Sequence, residues 1–166
     1  STNPVAVGDR VRFETQSEDL GEVTLTNPAL ITEVLDRKNY VVRKSTNLSR
    51  QSHVIAANID MAFAVVTLYF PEVKLPFLDR MLVTCEVYGV PVTILLNKVD
   101  LYRQEAPETV ENFINIYTKA GYNVVETSAK TGEGIEELRK ICDGKVCLFS
   151  GESGVGKSSL IKALAP

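Results

Sequence analysis

Gly151-Glu152-Ser153-Gly154-Val155-Gly156-Lys157-Ser158, close to the end of the 166-residue chain, decides how the rest is read. The stretch fits G-x-x-x-x-G-K-[ST], a loop that wraps a phosphate chain in inward-pointing backbone N–H groups. The apolar run Lys145-Val146-Cys147-Leu148-Phe149 before it predicts a buried strand. Ser158-Ser159-Leu160-Ile161-Lys162-Ala163-Leu164 after it predicts a helix whose positive end adds to the field. In that setting Lys157 is the candidate for the β- and γ-phosphates, and the Ser158 hydroxyl for Mg²⁺. A glycine-rich turn without a ligand is the bland alternative, and the flanking strand and helix argue against it.

A phosphate loop names no base. Upstream, Pro91-Val92-Thr93-Ile94-Leu95-Leu96 predicts a strand that ends in Asn97-Lys98-Val99-Asp100, the N-K-x-D pattern of guanine-nucleotide-binding proteins. By that resemblance Asp100 accepts hydrogen bonds from the guanine ring N–H and exocyclic amine, the Lys98 stem covers the base, and Asn97 ties this loop to the phosphate loop. Adenine offers Asp100 the wrong donors. A site built to pair buried polar groups rejects the unpaired analogue by about 10⁴-fold or more. A second apolar strand, Tyr122-Asn123-Val124-Val125-Glu126-Thr127, leads into Ser128-Ala129-Lys130, which resembles the S-A-K loop whose alanine N–H meets guanine O6. The candidate nucleotide contacts are therefore Asn97, Lys98, Asp100, Ser128, Ala129, Lys130, Gly151, Glu152, Ser153, Gly154, Val155, Gly156, Lys157, Ser158 and Ser159.

The order of these motifs is unusual. Ordinary GTPases place the phosphate loop first, whereas here both base loops precede it, as after a circular permutation. With that order the chain resembles the ribosome-small-subunit-dependent GTPases, the RsgA or YjeQ family. The match is carried by Pro4-Val5-Ala6-Val7-Gly8-Asp9, Arg37-Lys38-Asn39-Tyr40, Ile55-Ala56-Ala57-Asn58-Ile59-Asp60, Leu78-Asp79-Arg80, both base loops and Ser153-Gly154-Val155-Gly156-Lys157-Ser158-Ser159. The resemblance implies an N-terminal OB-fold-like β-barrel over 1–55, its first strands upstream, and a circularly permuted P-loop GTPase domain over 56–166 with a parallel sheet and helices. It implies GTP or GDP with Mg²⁺ as cofactors, and a Zn²⁺-binding C-terminal segment outside this chain. It also implies GTP hydrolysis in late maturation of the small (30S) ribosomal subunit, with that subunit and its rRNA as partners. The switch regions that position the attacking water are expected after residue 158, so no catalytic residue is assigned beyond charge stabilisation by Lys157, and this stretch alone is not expected to hydrolyse GTP.

Composition bounds the rest. With 45% hydrophobic and 23% charged residues the chain reads as globular. It has neither a run of membrane-spanning length nor a basic, then apolar, leader, so a cytoplasmic protein is expected, taken as a monomer although nothing in the sequence reveals its oligomeric state. The net charge of −3 does not announce a nucleic-acid binder. Residues 1–55 carry seven basic and seven acidic side chains, yet the stretch 37–50 has basic residues and no acid. Arg37, Lys38, Tyr40, Arg43, Lys44 and Arg50 are the candidate RNA contacts, with His53 nearby; a solvated strand face is the equal alternative. Cys85, Cys142 and Cys147 form no C-x-x-C pair and read as buried thiols rather than metal ligands.

Taken in order, alternation over residues 9–14 and short runs at 21–25, 30–35 and 39–43 predict strands. From about 53–58 the pattern turns to α/β. A continuous apolar strand at 61–68 is followed by a helix at 75–88 stopped by Gly89. The Asn97 strand leads to a helix opened by Pro107, with Val110, Phe113, Ile114 and Tyr117 on one face and Gly121 as its stop. After the Ser128 strand come a short helix at 135–141 and the phosphate-loop strand, a doubly wound arrangement with ligand loops at the strands' C-terminal ends. Two other readings compete. A tandem GTPase requires a phosphate loop upstream of Asn97, where none occurs. A non-hydrolysing nucleotide- or RNA-binding module would leave the GTPase motifs as scaffold.

Overall fold

The computed structural model describes residues 5–15, 28–44 and 52–165, the side chains of residues 43, 44, 52 and 53 excepted. The chain divides into two compact units, Ser1–Asn58 and Ile59–Pro166.

In the first unit, β1 (Val11–Thr15) pairs antiparallel with β2 (Ala29–Val34), and β3 (Tyr40–Lys44) pairs antiparallel with β4 (Ser52–Ala57). Among the described residues these are two separate two-stranded sheets, not a closed barrel. The strand expected at 21–25 lies outside the described residues. β4 runs through the boundary expected at 55/56. Its residues pair with β3 from Tyr40↔Ala57 to Lys44↔Ser52, so it completes the first unit rather than opening the second. Asn58 ties the end of β4 back into the first unit: its Nδ2 donates to Gly8 O at 2.9 Å while its Oδ1 accepts from the Lys38 N–H at 2.9 Å.

The second unit alternates strands and helices: β5 (Met61–Val66), α1 (Leu75–Val87), β6 (Val92–Asn97), α2 (Pro107–Lys119), β7 (Asn123–Thr127), α3 (Ile135–Cys142), β8 (Cys147–Ser150) and α4 (Lys157–Leu164). The four strands are parallel in the order β7-β6-β5-β8. β5 is apolar throughout because both faces of a central parallel strand are covered. Ala64 and Val66 face Leu78 and Leu82 of α1 and Val110, Phe113 and Tyr117 of α2. Phe63 and Val65 face Ile135 and Leu138 of α3 and Leu160 of α4. This period of two sorts the helices into two layers, α1 and α2 on one face, α3 and α4 on the other. Truncating a fully buried member such as Leu138 to alanine would cost about 2–5 kcal/mol.

The strand order reverses at β5. From there the chain steps outward through β6 and β7, then returns to add β8 on the other side, and ligand crevices form at such switch points. The loops after β5, β6, β7 and β8 therefore emerge at one end of the sheet.

Candidate nucleotide-binding site

Asn97 ends β6 with 1% of its surface exposed. Its Nδ2 donates to the Val155 carbonyl at 2.9 Å, its Oδ1 accepts from the Thr127 hydroxyl at 3.2 Å, and its carbonyl accepts from the Tyr102 hydroxyl at 2.5 Å. One side chain thus pins the ends of β6 and β7 to the middle of the phosphate loop. A buried amide with both functions satisfied is a rigid joint. Gly156, at φ 96°, passes so close that a Cβ there would lie 2.4 Å from Asn97 Nδ2. A Cβ on Gly151 would lie 2.3 Å from the Val65 carbonyl of β5. Each glycine is needed where the loop touches a neighbouring strand end.

Lys98 takes the left-handed conformation at φ 62° and directs its ammonium to the carbonyls of Gly154 and Phe70, each at 2.7 Å. A 3₁₀ turn, Val99–Leu101, follows and leaves Asp100 exposed at the rim. Its Oδ1 accepts from the buried Ser128 hydroxyl at 2.7 Å, which orients the carboxylate. Ser128 also closes its own loop, its N–H donating to the Glu133 carbonyl and its Oγ accepting from the Thr131 N–H. Ala129 is half-buried in this loop and Lys130 is exposed.

In the phosphate loop Lys157 donates to the carbonyls of Gly151 and Glu152, at 2.9 and 2.7 Å, closing the loop on itself. Val155 is buried; Ser153, Ser158 and Ser159 are exposed, the last two in the first turn of α4. The structure thus brings the three sequence motifs to one end of the sheet and ties each to another.

Some contributors carry no motif. Thr127, Tyr102, the Phe70 carbonyl and Arg103 all support the base loops. Arg103 donates to Glu126 on β7 at 2.7 Å and to Glu133 beyond the Ser128 loop. Thr127 could have been suspected from its place at the last position of β7; a main-chain acceptor such as Phe70 O leaves no trace in a sequence.

The candidate RNA contacts belong to the first unit. Arg37 pairs with Asp9 at 2.6 and 2.8 Å, with only 10% and 0% of the two side chains exposed, so its charge is matched there. The Arg37 guanidinium holds the Asp9 carboxyl below the usual carboxylate range; burial opposes this and the Ala6 N–H assists. Lys38 is exposed, Tyr40 is 38% exposed, and Arg43 and Lys44 lie on β3. Arg50 lies outside the described residues. All three cysteines are free thiols, and burial pushes Cys85 up to about 11. Among the described residues no cluster of His, Cys, Asp and Glu is arranged to hold a metal. No helix among them is long and apolar enough to cross a membrane.

A family model described as RsgA GTPase matches residues 34–166. The small ribosomal subunit biogenesis GTPase RsgA of Bacteroides fragilis is 49% identical over all 166 residues, and that of Flavobacterium psychrophilum 44%. The chain spans about half the length of these curated relatives, 51% and 49%. The crystal structure of YjeQ from Thermotoga maritima superposes with a TM-score of 0.74 at 36% identity, covering 98% of this chain and 52% of that one. The structure of YloQ, described as a circularly permuted GTPase, matches with a TM-score of 0.66 at 29% identity, covering 96% of this chain and 50% of that one.

Proposed function

Since this chain belongs to the RsgA GTPase family, we propose that it carries the guanine-nucleotide-binding part of a GTPase acting in maturation of the small ribosomal subunit. The observation that carries this reading is the joint at Asn97, which links the base loop to Val155 and to Thr127 while Ser128 orients Asp100. Such cross-linking makes sense where one ligand must touch all three loops at once. Asp100 would pair with the guanine edge, Ala129 N–H with its carbonyl, and Lys98 would line the base. The amides from Glu152 to Ser158 and the Lys157 ammonium would hold the phosphates and offset charge that develops during transfer to water.

Mg²⁺ fits this loop, because it keeps most of its waters and takes ligands from phosphates and one hydroxyl rather than from a carboxylate cage. Ser158 would hold it. Bound there, the ion would neutralise charge on the phosphate oxygens.

The antiparallel pairs β1–β2 and β3–β4 support reading the first unit as part of an OB-fold-like domain that meets rRNA. Lys38, Tyr40, Arg43, Lys44 and Arg50 would supply cations and a stacking ring, with Arg37 serving the fold through Asp9.

The test is titration of the protein with fluorescent GDP and Mg²⁺, competed by unlabelled GDP or ADP. Displacement by GDP alone, and its loss in Lys157→Ala, is the expected result. Equal competition by ADP would overturn the guanine assignment.

A further inference from the structure

Glu152 is the one carboxylate within Gly151–Ser158, a loop built to receive a polyanion. A negative side chain there works against the ligand, and such local conflicts need an offsetting partner. The partner comes from a segment with no nucleotide motif. Lys74, between β5 and α1, places its Nζ 2.8 Å from Glu152 Oε1.

Nothing in α1 explains a lysine at that place. Lys74 is the residue that caps the helix N-terminus, where the helix dipole disfavours a cation, and the first turn contains no acid to compensate. Its side chain makes no capping bond. Its backbone is held firmly all the same. The Lys74 carbonyl accepts from the N–H groups of Phe77 and Leu78 at 2.9 and 3.1 Å. Just before it, the buried Thr67 hydroxyl donates to the Pro71 carbonyl at 2.7 Å, closing the turn that leads to Lys74. The Pro71 ring lies 3.6 Å from the point where a Cβ on Gly154 would sit. The Lys74 backbone is therefore held beside the phosphate loop, and from there its side chain, 72% exposed, reaches Glu152.

We infer that Lys74 is a positioning residue of the nucleotide site, which neutralises and holds back the Glu152 carboxylate so that the loop accepts the phosphate chain. The inference rests on the reading of Gly151–Ser158 as a phosphate site. Acting through charge, Lys74 matters more for GTP than for GDP, since GTP carries the additional negative charge. The effect shrinks as salt rises.

The experiment measures affinities of the full-length protein for fluorescent GDP and a non-hydrolysable GTP analogue, with Mg²⁺, in the wild type, Lys74→Ala, Glu152→Gln and the double variant. Removing one charge next to such a loop is expected to weaken the GTP analogue by about three- to tenfold in Lys74→Ala, and GDP by less. Glu152→Gln should bind at least as well as wild type. The double variant should return to within about twofold of Glu152→Gln, because a lysine whose task is to cancel a charge is not missed once the charge is gone. A lysine that only braced the fold would leave the double variant as weak as Lys74→Ala, and that result would overturn the inference, as would unchanged affinities in Lys74→Ala. A wild type that binds no guanine nucleotide sinks the site reading and the inference with it; a guanine-specific wild type with an indifferent Lys74→Ala sinks the inference alone.

Discussion

Asp9 has no side-chain surface exposed, and it relies on Arg37 at 2.6 Å to remain charged. Its folded pKa lies below the ordinary carboxylate value near 3.9. The stability it lends is therefore complete above about pH 4 and is lost as acid carries the solution down through the lowered folded value. Asp9→Ala, which removes the carboxylate that accepts from Arg37 and from the Ala6 N–H, should destabilise the first unit by about 1–3 kcal/mol at pH 7, read by denaturant unfolding. The deficit should narrow as the pH falls below the ordinary carboxylate value; a deficit independent of pH would mean that packing, not the charge, is what was lost. In the sequence Arg37 is one of several cations in an acid-free stretch, because its partner stands 28 residues earlier and no local rule links them. Lys38 is the sounder residue on which to test RNA contact.

At the scale of elements, the second unit was legible where local pattern and tertiary role coincide. Continuous apolar runs became β5 and β6, and the stripe Val110, Phe113, Tyr117 became the buried face of α2. Both N-K-x-D and S-A-K fell at strand ends, because a strand's C-terminal end is where this topology exposes polar loops. β4 was not legible as a partner of β3. Its apolar residues resemble the opening of an α/β pattern, and an antiparallel pairing across an intervening loop has no signature in either strand alone. The Val99–Leu101 turn escaped for a similar reason: it is set by Lys98 in the left-handed conformation, held there by carbonyls from distant loops. Arg103 leaves that turn to bridge Glu126 and Glu133, joining the two base loops. With 40% of its side chain exposed, its contribution to overall stability is small, on the order of 1 kcal/mol or less. Its worth is in keeping the loops in register. Arg103→Ala should leave the melting temperature nearly unchanged yet loosen GDP by about three- to tenfold, with Arg103→Lys recovering part. Unchanged GDP affinity would show that the loops keep their register without it.

At the scale of the whole chain, a ligand that touches the loops after β6, β7 and β8 should stabilise the unit that holds them. GDP at a hundred times its dissociation constant contributes about 2.7 kcal/mol. For a unit of this size that is a rise in melting temperature on the order of 10 °C, measurable by calorimetry with and without GDP and Mg²⁺. ADP at the same concentration should leave the transition where it was, and a matching rise with ADP would count against recognition of the base. The strand order has a further consequence, in time. A chain made from its N-terminus delivers β5, β6 and β7 as successive neighbours, but the residues that flank β8 meet those that flank β5 across 86 positions, as Val146 does Asp60. At ordinary rates of translation that gap lasts roughly 4–17 s. Until it closes β5 has one open edge, and Asn97 and Lys98 lack the Val155 and Gly154 carbonyls that hold them. The loops after β6 and β7 are therefore made before the segment that locks them, and the joint at Asn97 is the last part of this end of the sheet to close.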